Sequence, residues 1–202
     1  MKILGLTGPS GAGKGTVAAI FQTFGIPSID TDAVYHQLLD EGGAITKELT
    51  DFFGQELLDE HGRIDRKKLR ATVFGKENTP ALLHTLNKIT HKYVMARTNE
   101  RIDALAQSGV AAVLIDAPLL FEAGVDKACD AVIGVLSDRA VRLSRITARD
   151  GITEEAAQMR LDAQKNDDFY RSACQYIIEN NGDRTALESQ IRCLLKKLNL
   201  EV

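Results

Sequence analysis

Three groups of residues in this 202-residue chain have the types and spacing to act on phosphates. The first is the run Gly8-Pro9-Ser10-Gly11-Ala12-Gly13-Lys14-Gly15-Thr16. Glycines let successive backbone N–H groups turn toward one anion, a helix starting at the lysine adds its positive end, and Lys14 offers a point charge to β- and γ-phosphates. The general form of such a loop has Ser or Thr directly after the lysine as a magnesium ligand. Here Gly15 stands there and Thr16 follows. The second group is carboxylates at the ends of apolar runs: Asp30 and Asp32 after Ile26–Ile29, and Asp116 after Val113-Leu114-Ile115. A carboxylate at such an edge can orient a hydroxyl or take its proton, and one beside a phosphate loop can help hold magnesium. Asp32 has a plainer reading as a helix N-cap, and the two roles are compatible. The third group is Arg139, Arg142, Arg145 and Arg149, spaced three, three and four apart, which puts them on one stripe of a helix. Four guanidiniums on one face repel unless anions relieve them, and planar guanidinium matches phosphate oxygens. The competing reading pairs the stripe with Asp138, Asp150, Glu154 and Glu155; the spacing does not choose among the four arginines.

The elements that must position these groups read as alternating strands and helices. Ile3–Leu6 is a short buried strand leading into the glycine-rich run, and Val17, Ala18, Ile20 and Phe21 repeat at helical spacing until Gly25. Ile26–Ile29 is a second strand; Thr31 or Asp32 then caps a helix carrying Val34, Leu38 and Leu39. Residues 44–78 are polar and read as short helices. A long helix starts at Thr79-Pro80 and runs to Ser108-Gly109. Val110–Ile115 and Ala131–Leu136 are continuous apolar runs, as expected of strands buried on both faces. Helices follow over Asp138–Asp150 and Thr153–Asn166, then a strand at Tyr176–Ile178 and a C-terminal helix to Leu198. The alternation predicts an α/β fold with a parallel sheet, built on one core.

Composition narrows the function classes. Lys plus Arg total 25 against 28 for Asp plus Glu, a formal net charge of −3, so a general nucleic-acid binder is not expected. With 5% aromatics and no Trp, base stacking is not expected either. No apolar run approaches the length of a membrane span, and the N-terminus reads as a strand rather than a signal peptide. The three cysteines, Cys129, Cys174 and Cys193, are odd in number and widely spaced, which fits reduced thiols in the cytoplasm. The four histidines form no recognisable metal set. A guanine-reading switch is not expected: Asn87-Lys88-Ile89-Thr90 has Thr where Asp is needed, and neither it nor Asp59-Glu60-His61-Gly62 follows a strand. The expected partners are small anionic substrates, with the protein a monomer or small homo-oligomer.

The Gly-Lys-Gly-Thr form of the loop resembles adenylate and cytidylate kinases. A wider set of motifs resembles a different family: Gly25-Ile26-Pro27-Ser28-Ile29-Asp30-Thr31-Asp32; Gly62-Arg63-Ile64-Asp65-Arg66-Lys67-Lys68-Leu69 with Phe74; Leu86-Asn87-Lys88-Ile89-Thr90-His91; Asp116-Ala117-Pro118-Leu119-Leu120-Phe121-Glu122; Arg145-x-x-x-Arg149; Arg160-x-x-x-Gln164; and Ile177-Ile178-Glu179-Asn180-Asn181-Gly182. In this order, over residues 3–182, the chain is similar to the dephospho-coenzyme A kinases. The resemblance implies a P-loop fold of three α/β/α layers. The nucleotide core would be residues 1–30 and 110–202, with a helical acceptor-binding insertion over 31–108 and a short lid over 138–166. It implies transfer of the ATP γ-phosphoryl to the ribose 3′-hydroxyl of dephospho-coenzyme A, with Mg²⁺, as the last step of coenzyme A synthesis. Asp32 matches the family's general base. Gly8, Ser10, Gly11, Ala12, Gly13, Lys14, Gly15 and Thr16, with Arg145, Arg149 and Asn181, match the ATP site, Lys14 and Arg145 being catalytic as well. His91, Pro118, Leu119, Leu120, Phe121 and Glu122 fall on the acceptor side with Asp32, and Thr16 and Asp116 are the metal candidates, directly or through water. The chain departs from the family at Gly15, usually Ser or Thr, and at Lys92, usually Pro after the histidine. The rival readings are another small P-loop kinase, for adenylate or cytidylate, and a nucleotide-binding switch or regulatory ATPase with no acceptor.

Overall fold

The computed structural model describes residues 1–75 and 79–200. Contacts divide the chain into two compact units, residues 1–29 with 105–202, and residues 30–104.

The first unit is built on a five-stranded parallel sheet. Its strands are β1 (Lys2–Thr7), β2 (Ser28–Asp30), β3 (Ala112–Asp116), β4 (Ala131–Leu136) and β5 (Tyr176–Glu179), in the spatial order β2-β3-β1-β4-β5. β1 pairs in parallel with β3 on one side and β4 on the other. The chain therefore leaves β1 toward one edge and later returns to the opposite side, and such a reversal opens a crevice at the carboxyl ends of the strands. Strand alternation explains the layers. Leu4 and Leu6 of β1 point into a cluster with Val17, Ile20 and Phe21 of α1 (Lys14–Thr23) and with Ile191 and Leu195 of α9 (Arg184–Lys197). Gly5, between them, faces the other way: a Cβ there would meet Leu120 Cδ1 at 2.7 Å and Cys129 Sγ at 3.0 Å. The missing side chain lets Leu120 and Cys129 close onto the sheet.

α6 (Arg139–Asp150) and α7 (Glu154–Asp162) form a hairpin whose own small core is Ile146, Ala157 and Leu161, with Leu143 and Ile152 against it. Gly151 turns the chain between them with φ +62°. The helical pattern read to Asn166 stops at Asp162, and a separate short helix, α8 (Asp167–Ala173), follows where the sequence reading had none. Asn166 starts it, its side chain accepting from Phe169 N at 3.0 Å.

The second unit is helical: α2 (Thr31–Glu41), α3 (Ala44–Phe53), a 3₁₀ turn Gln55–Leu57, α4 (Arg66–Phe74) and most of α5 (Thr79–Gln107). Its interior holds Val34, Leu39, Ile45, Leu49, Leu57 and Val73. The short helices expected over 44–78 are present as α3, the 3₁₀ turn and α4; positions 76–78 of that stretch lie outside the described residues. Asp65 caps α4 by accepting from Lys67 N and Lys68 N at 2.8 and 3.2 Å.

Candidate active site

The glycine-rich run leaves the carboxyl end of β1 and becomes the first turn of α1. Gly13 occupies the N-cap position with φ +93° and ψ +34°, a left-handed conformation costly for any residue with a side chain. It is also sterically fixed, since a Cβ at Gly13 would lie 2.1 Å from the side-chain nitrogen of Asn180. Lys14 folds back over the loop, its Nζ donating to the Gly8 carbonyl at 3.2 Å. This is the backbone form required of an anion cradle at a helix N-terminus.

Side chains from distant parts of the first unit hold the loop's main chain. Arg145 Nη1 donates to the carbonyls of Gly11 and Ala12 at 3.2 and 3.3 Å, and to Ser137 Oγ at 3.4 Å. Its Nη2 donates to the Asn180 carbonyl at 3.2 Å. The Asn180 side-chain amide, 4% exposed, donates to the Ala12 carbonyl at 2.7 Å, and its backbone N–H to the Leu136 carbonyl at 2.7 Å. Turning the Gly11 and Ala12 carbonyls toward these donors commits one face of the loop to the protein. Gln164 Oε1 accepts from the Ser10 N–H at 2.9 Å. Asn180 and Gln164 lie in two of the family-like motifs, but their hold on the loop is not legible in the sequence: amides that complete a loop's hydrogen bonds have no periodic signature.

The arginine stripe differs from the expectation of unrelieved positive charge, because each member meets a protein acceptor. Arg139 pairs with Asp162 at 2.6 Å. Arg142 is buried and pairs with Asp167 at 3.0 Å. Arg149 lies on Asp150 at 2.7 Å, and Arg160 reaches the same carboxylate from α7. The Arg149 guanidinium, with Arg160 beside it, holds the Asp150 carboxyl down to about 2. Arg145 directs its guanidinium at the loop, through the Gly11 and Ala12 carbonyls. The stripe was legible at the level of spacing; the acceptors were not, because Asp162 and Asp167 come from elements whose boundaries the periodicity misplaced.

Asp116 ends β3 in register with Leu6 of β1, and the next residue, Ala117, donates its N–H to the Leu6 carbonyl at 3.1 Å. The carboxylate-bearing strand therefore lies immediately beside the strand that feeds the loop. Thr16 is exposed in the first turn of α1, and at Gly15 a Cβ would meet nothing within 4 Å. Mg²⁺ retains several waters and takes one or two carboxylates together with substrate phosphates, so a carboxylate at this strand end has the chemistry to serve it without a ligand from position 15. Among the described residues there is no cluster of three or more His, Cys, Asp or Glu that could hold a metal ion.

Other candidate residues divide between packing and exposure. Leu120 is completely buried, its side chain packed against Gly5. Leu119 is half exposed, and Glu122 is exposed. Phe121 packs edge-on against Phe169 of α8 with ring centroids 5.4 Å apart. Asn181 is exposed, and its side chain clasps Asp138: Oδ1 accepts from Asp138 N at 2.7 Å and Nδ2 donates to Asp138 Oδ1 at 2.9 Å.

In the second unit, the cap of α2 is Asp30, whose Oδ1 accepts from Asp32 N and Ala33 N at 2.9 and 3.1 Å. This corrects the expectation that Thr31 or Asp32 caps the helix. Asp32 follows in the first turn and is exposed. His91 is half-buried on α5, which lowers its pKa. Lys92, at the position of the unusual residue, reaches Glu48 of α3 at 2.7 Å, and Tyr93 donates to the same carboxylate at 2.8 Å. The lysine thus has a local use that a proline cannot supply.

Known proteins match this arrangement. The profile of the family Dephospho-CoA kinase covers residues 2–186. A dephospho-CoA kinase of Corynebacterium diphtheriae is 36% identical over all of both chains. One of Arabidopsis thaliana is 35% identical, over 96% of this chain and 83% of its own length. Among solved structures, the dephospho-CoA kinase from Campylobacter jejuni superposes with a TM-score of 0.70 at 26% identity, covering 97% of this chain and 96% of that one. A shikimate kinase from Acinetobacter baumannii, at 19% identity and TM-score 0.52, shares the fold alone. Family profile, full-length relatives and the phosphate loop beside Asp116 agree, and the chain belongs to the dephospho-CoA kinase family.

Proposed function

We propose that this protein transfers the γ-phosphoryl group of ATP to the 3′-hydroxyl of the ribose of dephospho-coenzyme A, giving coenzyme A and ADP. The carrying observation is a formed phosphate loop, with Asp116 one strand away, in a chain matched by this family over residues 2–186. In the reaction the acceptor oxygen attacks Pγ, the bond from Pγ to the β,γ-bridging oxygen breaks, and ADP leaves with the electron pair. Asp32 takes the hydroxyl proton. Its exposure, with capping left to Asp30, is what a carboxylate that must meet a substrate requires. The Gly11 amide, the amides of residues 13–16 and the Lys14 ammonium cradle the phosphates, and Arg145 stabilises charge moving onto the leaving oxygen. Bound Mg²⁺, held by Asp116 and Thr16 directly or through water, would neutralise phosphate charge. Arg149 and Asn181 belong to the ATP side and His91, Pro118, Leu119, Leu120, Phe121 and Glu122 to the acceptor side. The compartment is the cytoplasm.

The Gly15-Thr16 pair favours an adenylate or cytidylate kinase, but the family profile and full-length relatives weigh against that rival. The discriminating experiment couples ADP release to acceptor choice. ATP with dephospho-coenzyme A should release ADP far faster than ATP with AMP, CMP or no acceptor. Rapid turnover of AMP or CMP, or acceptor-independent hydrolysis at a comparable rate, would rule the reading out.

A further inference from the structure

We infer that Gln164 is a positioning residue for the phosphate loop, tying the α6–α7 hairpin to the Ser10 amide so that the loop stands ready for ATP before it arrives. The inference rests on the ATP site of the proposed function and adds a residue to it.

The geometry is specific. Gln164 Oε1 accepts from the Ser10 N–H at 2.9 Å across 154 positions of sequence. The glutamine is itself anchored: its backbone N–H donates to the carbonyl of Leu161, a residue buried in the hairpin core. Two residues on, Asn166 is fixed as the cap of α8. A side chain leaving so constrained a segment loses little further freedom when it makes its bond.

The hairpin therefore grips the loop at two points with opposite polarity. From α6, Arg145 donates to the Gly11 and Ala12 carbonyls; from the end of α7, Gln164 accepts from the Ser10 amide. Ion pairs Arg139–Asp162 and Arg160–Asp150 join the two helices, so the two grips move together. Glutamine suits the second point because its oxygen accepts without bringing negative charge to a phosphate site. A carboxylate could make the same bond but would repel the nucleotide.

The test is equilibrium binding of ATP, without acceptor, to the full-length protein and to Gln164→Met and Gln164→Glu. Methionine keeps the length and removes the strong acceptor. Its Kd for ATP should rise about fivefold, the scale of one hydrogen bond, while the thermal midpoint stays near that of the parent. Glutamate keeps the acceptor and adds charge. Its Kd should rise at low salt and recover toward the parent value as salt is raised, a dependence that a purely structural defect does not produce. A Gln164→Met Kd within twofold of the parent, or a tighter one, overturns the inference, as does a Gln164→Glu defect indifferent to salt. Failure of the unsubstituted protein to bind ATP would instead count against the proposed function, so the two failures are distinguishable.

Discussion

Replacing Gly13 by alanine should damage the loop by an amount that follows from its geometry. Gly13 holds φ +93°, where an L side chain costs about 1–2 kcal/mol. The new methyl would also sit 2.1 Å from the Asn180 side-chain nitrogen, so Asn180 must withdraw. That breaks its 2.7 Å bond to the Ala12 carbonyl and leaves a buried amide unpaired, at about 1–3 kcal/mol. The sum is roughly 2–5 kcal/mol, or a fall of about 4–20 °C in melting temperature for a chain of this size. Gly15→Ala is the matched control. Position 15 lies inside α1, has no positive φ, and a Cβ there meets nothing within 4 Å. Alanine should stabilise by about 0.5–1 kcal/mol through helix propensity. Urea and thermal unfolding of the two variants beside the parent check both signs. A Gly13→Ala loss below about 1 kcal/mol, no larger than an ordinary substitution, would falsify the claim that Asn180 packs against the loop as described.

Four further outcomes are expected. Asp32→Asn should lower kcat by about 10²–10⁴ while ATP affinity changes little, measured by steady-state kinetics with ATP binding alongside; a kcat within twofold of the parent excludes the proton role. Arg145→Lys should weaken ATP binding and kcat together, because one ammonium cannot serve the Gly11, Ala12 and Asn180 carbonyls at once. Asp150 should titrate near 2 by carboxyl-selective NMR; as its folded pKa is depressed, the stability it contributes is present above the ordinary aspartate range and lost as pH falls through about 2. Thiol labelling at pH 8 should modify exposed Cys193 rapidly and Cys129 and Cys174 slowly, since burial raises both of the latter to about 11; equal rates for all three would contradict the burial.

What the sequence made legible follows from the range of the interactions involved. The loop, its strand and its helix are local, and β1, α1 and β4 lie close to where apolar runs and glycine positions put them. Asp116 could be read as strand-terminal because the continuous apolar run Val110–Ile115 precedes it. Features that depend on partners far along the chain were not legible. The pairing of Arg139 with Asp162 and of Arg142 with Asp167 needs the α7 boundary and the existence of α8, and the helical pattern over 153–166 blurred both. The packing of Leu120 was not legible either, because nothing in its neighbours reveals that Gly5, 115 positions earlier, leaves a hollow for it. Asn180 and Gln164 act through single amide hydrogen bonds to the loop's main chain, which leave no imprint on hydrophobic pattern or charge.

The central claim is the chemical identity of the product. The purified protein should be incubated with ATP, Mg²⁺ and dephospho-coenzyme A, and the product examined by mass spectrometry and phosphorus NMR. The account predicts the gain of one phosphoryl group as a monoester on the ribose 3′-oxygen, with one ADP formed per product. A product phosphorylated elsewhere, or ADP accumulating with dephospho-coenzyme A unchanged, would contradict it.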